Sequence, residues 1–88
     1  MKACDGFILR NIAGESILMP AGDNIKKFRG TVLMNELSVF VWNQLQSAVS
    51  RDELLARILD RYDIDRQTAA ADLDKLLADM EKAGILEV

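Results

Sequence analysis

Gly30-Thr31-Val32-Leu33-Met34-Asn35-Glu36-Leu37-Ser38-Val39-Phe40-Val41-Trp42 is the stretch on which the fold turns. Up to Leu33 it reads as a strand: a short β-branched and apolar run entered through a glycine. From Asn35 the pattern changes. Asn35 is a good helix N-cap, and Glu36 places a negative charge in the first turn, where the helix dipole favours it. Leu37, Phe40, Val41, Leu45 and Val49 then recur at helical spacing, with Trp42 beside them. The chain therefore changes from strands to helices near residue 35.

Working back toward the N-terminus, Gly6-Phe7-Ile8-Leu9-Arg10-Asn11-Ile12 is rich in β-favouring residues, Ala13-Gly14 interrupts it, and Glu15-Ser16-Ile17-Leu18-Met19 resumes it. Gly14 can adopt a left-handed backbone, so the spacing predicts a hairpin with a short loop. Pro20 ends the second strand and Ala21-Gly22-Asp23-Asn24 reads as a turn. The loop beyond it carries Lys26, Lys27 and Phe28. Both faces of the hairpin are apolar: Phe7 and Leu9 point one way, Ile8 and Ile12 the other. One face should pack on helices. The other is half exposed or covered by a second copy, consistent with a paired or strand-exchanged homodimer.

Toward the C-terminus, Ser50-Arg51-Asp52-Glu53 is a capping-box sequence. It opens a helix with Leu54, Leu55, Ile58, Leu59 and Tyr62 on its apolar side. Asp63-Ile64-Asp65 breaks that pattern, and Asp65 caps a third helix bearing Ala69, Leu73, Leu76, Leu77 and Met80. Gly84 is a natural C-cap. Ile85-Leu86-Glu87-Val88 is an apolar tail, either packed or added to the sheet. The reading is one α+β domain over residues 1–88, winged-helix-like: a three-stranded antiparallel sheet followed by three helices. Strands are expected at about 6–12, 15–20 and 29–33, and helices at about 36–49, 51–62 and 66–83.

Composition narrows the function. Eighty-eight residues leave no room for a second domain, and an apolar share of 50% with 28% charged residues is globular. No apolar run approaches the roughly 20 residues that span a bilayer, and the N-terminus lacks a signal-peptide core, so the expectation is a cytoplasmic protein with no membrane contact. There is no histidine. The commonest general base and metal ligand is thus missing, and Ser16, Ser38, Ser47 and Ser50 have no triad partner of that type. Gly14, Gly22 and Gly30 stand at turn spacing and form no phosphate loop. Asp60, Asp63 and Asp65 lack the further ligands and central glycine of a calcium loop. Cys4 is the sole cysteine, so no intrachain disulfide forms, and it reads as a frayed terminal residue. No catalytic residue, metal or cofactor is expected.

The second and third helices resemble a helix-turn-helix pair, but the charge is wrong for DNA. From Asp65 to Lys82 the third helix carries Asp65, Asp72, Asp74, Asp79 and Glu81 against Arg66, Lys75 and Lys82, a net −2. Phosphates would be repelled, so no nucleic-acid partner is expected. What remains is a binding surface. If the third strand lies at a sheet edge beside the third helix, its free backbone groups and the adjacent groove suit an extended peptide added as a strand. An ordinary central strand, or one covered by the tail, remains an open alternative.

The stretch from Gly30 to Trp42 also resembles proteins related to coenzyme PQQ synthesis protein D (PqqD), in which a strand runs into Leu-Asn-Glu and then a helix with an aromatic-apolar-Trp cluster. Gly6–Arg10 with Ile17–Pro20 looks like the family's opening hairpin, Ser50–Leu54 its second-helix start and Tyr62–Asp65 its turn. Ala71–Leu77 with Gly84–Glu87 looks like its last helix and ending. Met34 in place of Leu conserves volume, whereas Gln46-Ser47-Ala48-Val49 in place of an Asp-Gly turn points to a relative serving a peptide pathway other than the quinone cofactor's. The resemblance implies a non-catalytic recognition element for ribosomally made, post-translationally modified peptides. Such a protein binds the precursor's leader peptide as an added strand and presents it to a modifying enzyme, often a radical SAM protein. Carried over by position, the strand groups are Arg29, Gly30, Thr31, Val32 and Leu33, and the groove wall is Ala69, Asp72, Leu73 and Leu76, with Leu73 better placed for the core. The competing class is a winged-helix transcriptional regulator or a general protein-interaction adaptor.

Overall fold

Asn35 ends the sheet and starts the helices. In the computed structural model, which describes residues 1–28 and 30–87, its side chain accepts from the Ser38 N–H and the Ser38 hydroxyl, both at 2.8 Å. Before it lie β1 (Lys2–Ala3), β2 (Phe7–Ile12), β3 (Glu15–Pro20), α1 (Asn24–Lys27) and β4 (Val32–Met34). After it come α2 (Glu36–Gln44), α3 (Arg51–Arg61), α4 (Arg66–Lys82) and β5 (Leu86–Glu87). The fold class is the expected one, a three-stranded antiparallel sheet ordered β2-β3-β4 with helices following it.

The β2–β3 hairpin closes through Ala13 (φ 53°) and Gly14 (φ 83°), both left-handed, as the favoured two-residue hairpin turn requires. That turn fixes the register from Ile12 opposite Glu15 to Phe7 opposite Pro20. β4 then pairs with β3, setting Leu18 opposite Val32 and Ile17 opposite Leu33. Opposed residues share a face. Leu18, Val32, Met34, Phe7 and Leu9 therefore turn inward, and Ile8, Ile12, Ile17, Met19 and Leu33 turn outward. Leu18 is 1% exposed and Leu33 is 67% exposed, so the two faces differ as sharply as the pairing demands.

The inward face packs on the helices. Phe7 meets Phe28 edge-on at 4.9 Å and Trp42 at 6.3 Å between ring centroids. Val41, Leu45, Leu54 and Leu73 are fully buried beneath it. The predicted caps form. Ser50 and Glu53 make a reciprocal capping box on α3, and Asp65 accepts from the Thr68 N–H at 2.9 Å on α4. Arg51 clamps α3 to α4 through two bonds to the Asp74 carboxylate, at 2.7 and 3.0 Å. At the other end of α4, Ile85 N–H bonds to Met80 carbonyl and Gly84 N–H to Glu81 carbonyl, with Gly84 at φ 80°. This termination turns the tail back so that Ile85 and Leu86 are buried.

Four expectations are corrected. The third strand runs from Val32 to Met34 and not from 29 to 33, because Gly30 adopts a left-handed φ of 80° that breaks extended pairing; Arg29 lies outside the described residues. The first long helix ends at Gln44 and does not reach 49. The Leu45 carbonyl accepts from Ala3 N–H at 2.8 Å, and the Val49 N–H that an unbroken helix would give it goes to the Met1 carbonyl at 2.9 Å. Residues 24–27, read as loop, make the single turn of α1, which Asn24 ties down by donating to the Asp5 and Gly6 carbonyls at 2.9 and 3.1 Å. Finally, the N-terminus is not frayed. β1 pairs with β5 as a separate two-stranded sheet, and Cys4 N–H donates to the Ile85 carbonyl at 2.9 Å.

Candidate functional site

Because β4 is the last strand of its sheet, one of its edges pairs with β3 and the other carries no strand among the described residues. In an antiparallel ladder, successive residues point their N–H and C=O alternately to one side and the other. A three-residue edge thus presents peptide groups outward without breaking its own pairing. β3 holds this edge in place through Leu18 opposite Val32 and Ser16 opposite Met34.

The open edge runs beside a groove of about 490 Å³ between β4 and α4. Val32, Leu33 and Met34 form one wall, Asp72, Lys75, Leu76 and Asp79 the other, and Met80 and Ile85 the buried floor. The α4 contributors follow helical spacing: 72, 75 or 76, and 79 lie on one stripe. Beyond Asn35 the hollow continues into an apolar pit of about 490 Å³, lined by Leu37, Ile58, Tyr62, Ile64 and Ala69. Glu36, Asp63 and Asp72 stand among its lining residues. Asp72 borders both hollows. A wider hollow of about 780 Å³ near Phe40 and Tyr62 shares Leu33, Met34 and Asn35 with the groove but takes no lining from α4. There the Arg61 guanidinium lies 5.7 Å over the Phe40 ring.

The sequence-derived site residues divide accordingly. Val32 and Leu33 are on the edge strand, and Asp72 and Leu76 line the groove. Ala69 is on the floor of the adjoining pit, 1% exposed. Leu73 is 0% exposed, lines neither hollow and belongs to the core. Gly30 and Thr31 are exposed and precede the strand without pairing. Arg29 lies outside the described residues. Sequence reasoning missed Met34, Leu37, Lys75 and Asp79. The α4 pair was visible as the i+3 and i+7 continuation of Asp72, whereas Leu37 needed the knowledge that α2 starts at the end of the groove.

The charges are sorted by what they hold. Thr68 bonds keep the Asp65 carboxyl below the usual carboxylate range, and Arg51 does the same for Asp74. Lys75 lies 3.8 Å from Asp79. Among the described residues, Glu36, Asp63 and Asp72 pair with no cation. Burial, then the Glu87 and Asp5 carboxylates, push the Cys4 thiol up, so its thiolate is disfavoured. Among the described residues, no three His, Cys, Asp or Glu side chains gather as a metal-ligand set, and no helix is long and apolar enough to cross a membrane.

An open strand edge beside a helix-walled groove is the geometry that strand addition by a partner chain requires. Residues 15–86 match the family described as coenzyme PQQ synthesis protein D (PqqD), and the chain belongs to that family. No curated protein matches the sequence. Among solved structures, the chain is similar in fold to TbiB1, determined in complex with the TbiA(beta) leader peptide. The TM-score is 0.75 at 22% identity, over 99% of this chain and 95% of that one.

Proposed function

We propose that this protein binds the leader peptide of a ribosomally made precursor as an added strand on β4 and presents it to a peptide-modifying enzyme, such as a radical SAM protein. The observation that carries this reading is the open β4 edge lying against the α4 groove. Main-chain bonds to β4 supply affinity for any extended chain. Alternate side chains entering the groove supply selection. Membership of the PqqD family supports the reading, as does the fold shared with TbiB1, whose structure holds a leader peptide. The acidic α4 disfavours a nucleic acid as the alternative occupant. The protein acts as a non-catalytic adaptor that places the precursor before its enzyme.

The test uses labelled synthetic leaders from short precursor genes neighbouring this one. Of Val32 and Leu33, one directs its N–H to β3 and the other to the open edge. Proline at the residue facing β3 breaks the ladder and lowers thermal stability. Proline at the other should leave the fold intact and weaken leader binding by about tenfold, the equivalent of one lost backbone bond. Undiminished affinity in both folded variants would count against strand addition.

A further inference from the structure

We infer that the groove selects a peptide in which a Lys or Arg stands two residues from a bulky apolar side chain, the apolar chain seated in the pit beside Leu37 and Ile64 and the cation paired with Asp72. This rests on the peptide-binding reading and goes beyond it by naming the chemistry of the segment bound.

A strand added to β4 continues the sheet, so its residues opposite Val32 and Met34 point toward α4, as those two do. Its groove-facing positions are therefore every second residue, about 7 Å apart. Asp72 borders both the β4–α4 groove and the pit beyond Asn35, so it stands between two successive apolar sites. Each site is apolar enough to take a Leu, Met or aromatic side chain: Leu76, Met80 and Ile85 in one, Leu37, Tyr62 and Ile64 in the other.

The charge on this surface is one-sided. Among the described residues, Glu36, Asp63, Asp72 and Asp79 line the two hollows against the single cation Lys75, which already lies 3.8 Å from Asp79. Asp65 and Asp74, the other α4 aspartates bonded above, are occupied with Thr68 and Arg51. Asp72 has no cation among the described residues and is exposed at the rim, within reach of a long side chain. A Lys or Arg there lays its methylenes along Leu76 and keeps its charge at the carboxylate. An Asp or Glu at the same position meets like charge on both sides, so the groove rejects acidic segments as well as selecting basic ones.

The test is selection of a fully randomised ten-residue display library on the intact chain, with the enriched peptides synthesised and titrated. The expected peptides carry an apolar residue and a Lys or Arg two positions apart. Their affinity should fall about three- to tenfold in Asp72→Lys, the scale of an exposed ion pair turned repulsive. The same library selected on Asp72→Lys should enrich Asp or Glu at that position. Asp72→Asn should give an intermediate loss. Enriched peptides with no cation bias, whose binding is nonetheless lost when alternate backbone amides are N-methylated, would overturn this selectivity and leave strand addition standing. Peptides indifferent to N-methylation, or no enrichment at all, would overturn strand addition and this inference with it.

Discussion

Among the described residues the three-stranded sheet has two open edges, and they are not equivalent. β2 offers six residues and β4 only three, so length alone would make β2 the better template for an incoming strand. Yet no β2 residue lines the groove, and the middle of β2 carries exposed Arg10 and Asn11. Charged and polar residues on an edge strand discourage pairing with another chain. β4 is shorter, but α4 stands beside it and closes one side of a groove. A backbone edge binds any extended chain weakly; only an edge with a wall can also hold side chains. On the proposed reading, the edge that receives the peptide is therefore the one walled by α4.

The most damaging way to break this difference is to loosen what holds β4 against the helices. Leu18 lies opposite Val32 and is 1% exposed, whereas Leu33 is 67% exposed. Leu18→Ala should cost about 2–5 kcal/mol in denaturant unfolding, the range for a buried Leu truncated to Ala. Leu33→Ala should change stability by less than about 0.5 kcal/mol, as a surface substitution does. Equal losses in the two variants would mean that the inward and outward faces are wrongly assigned.

A smaller effect compares the edges directly. Proline at whichever of Leu9 and Arg10 directs its N–H to the outer side of β2 removes a donor from that edge and leaves the hairpin ladder intact. Leader affinity should stay within about twofold of the parent, against the roughly tenfold loss proposed for β4. A tenfold loss at β2 as well would move the binding edge, or show that the hairpin is exchanged between copies.

Much of the scaffold of this site is legible in the sequence, because it is set by local chemistry. Asn35, Ser50 and Asp65 cap the helices that their side chains predict. Ala13-Gly14 makes its two-residue turn, and Gly84 turns the chain after α4. What escapes is set by distant partners. Nothing near Leu45 says that its helix stops there; the reason is Ala3, more than forty residues away, which takes the Leu45 carbonyl. The pairing of β1 with β5 and the single turn of α1 depend in the same way on contacts between remote segments. The groove was half legible. Asp72 and Leu76 follow from helical spacing, and the central place of Leu73 on the apolar arc already marks it for the core. The part played by Lys75 and Asp79 required the direction from which α3 packs on α4, a direction fixed in part by the Arg51–Asp74 clamp.

The smallest expected effect concerns the wall of the groove at its start. Asp65 caps α4 by accepting from the Thr68 N–H and hydroxyl, and those bonds hold its carboxyl below the usual range. A carboxyl whose pKa is lower in the folded state stabilises fully above its unfolded pKa, near 3.9, and loses that contribution as pH falls through the folded value. Acidification from about pH 5 toward pH 2 should therefore weaken the α4 cap, on top of whatever other carboxylates contribute. Asp65→Asn keeps a capping oxygen but cannot titrate. The difference in melting temperature between parent and variant should be largest near neutral pH and shrink on acidification. A constant offset across that range would show that the charge on Asp65 adds nothing to its hydrogen bonds. Asp65 caps α4 and is no part of the β2–β3 hairpin, so the same acidification should leave the hairpin register untouched, and loosening should begin at the α4 wall of the groove.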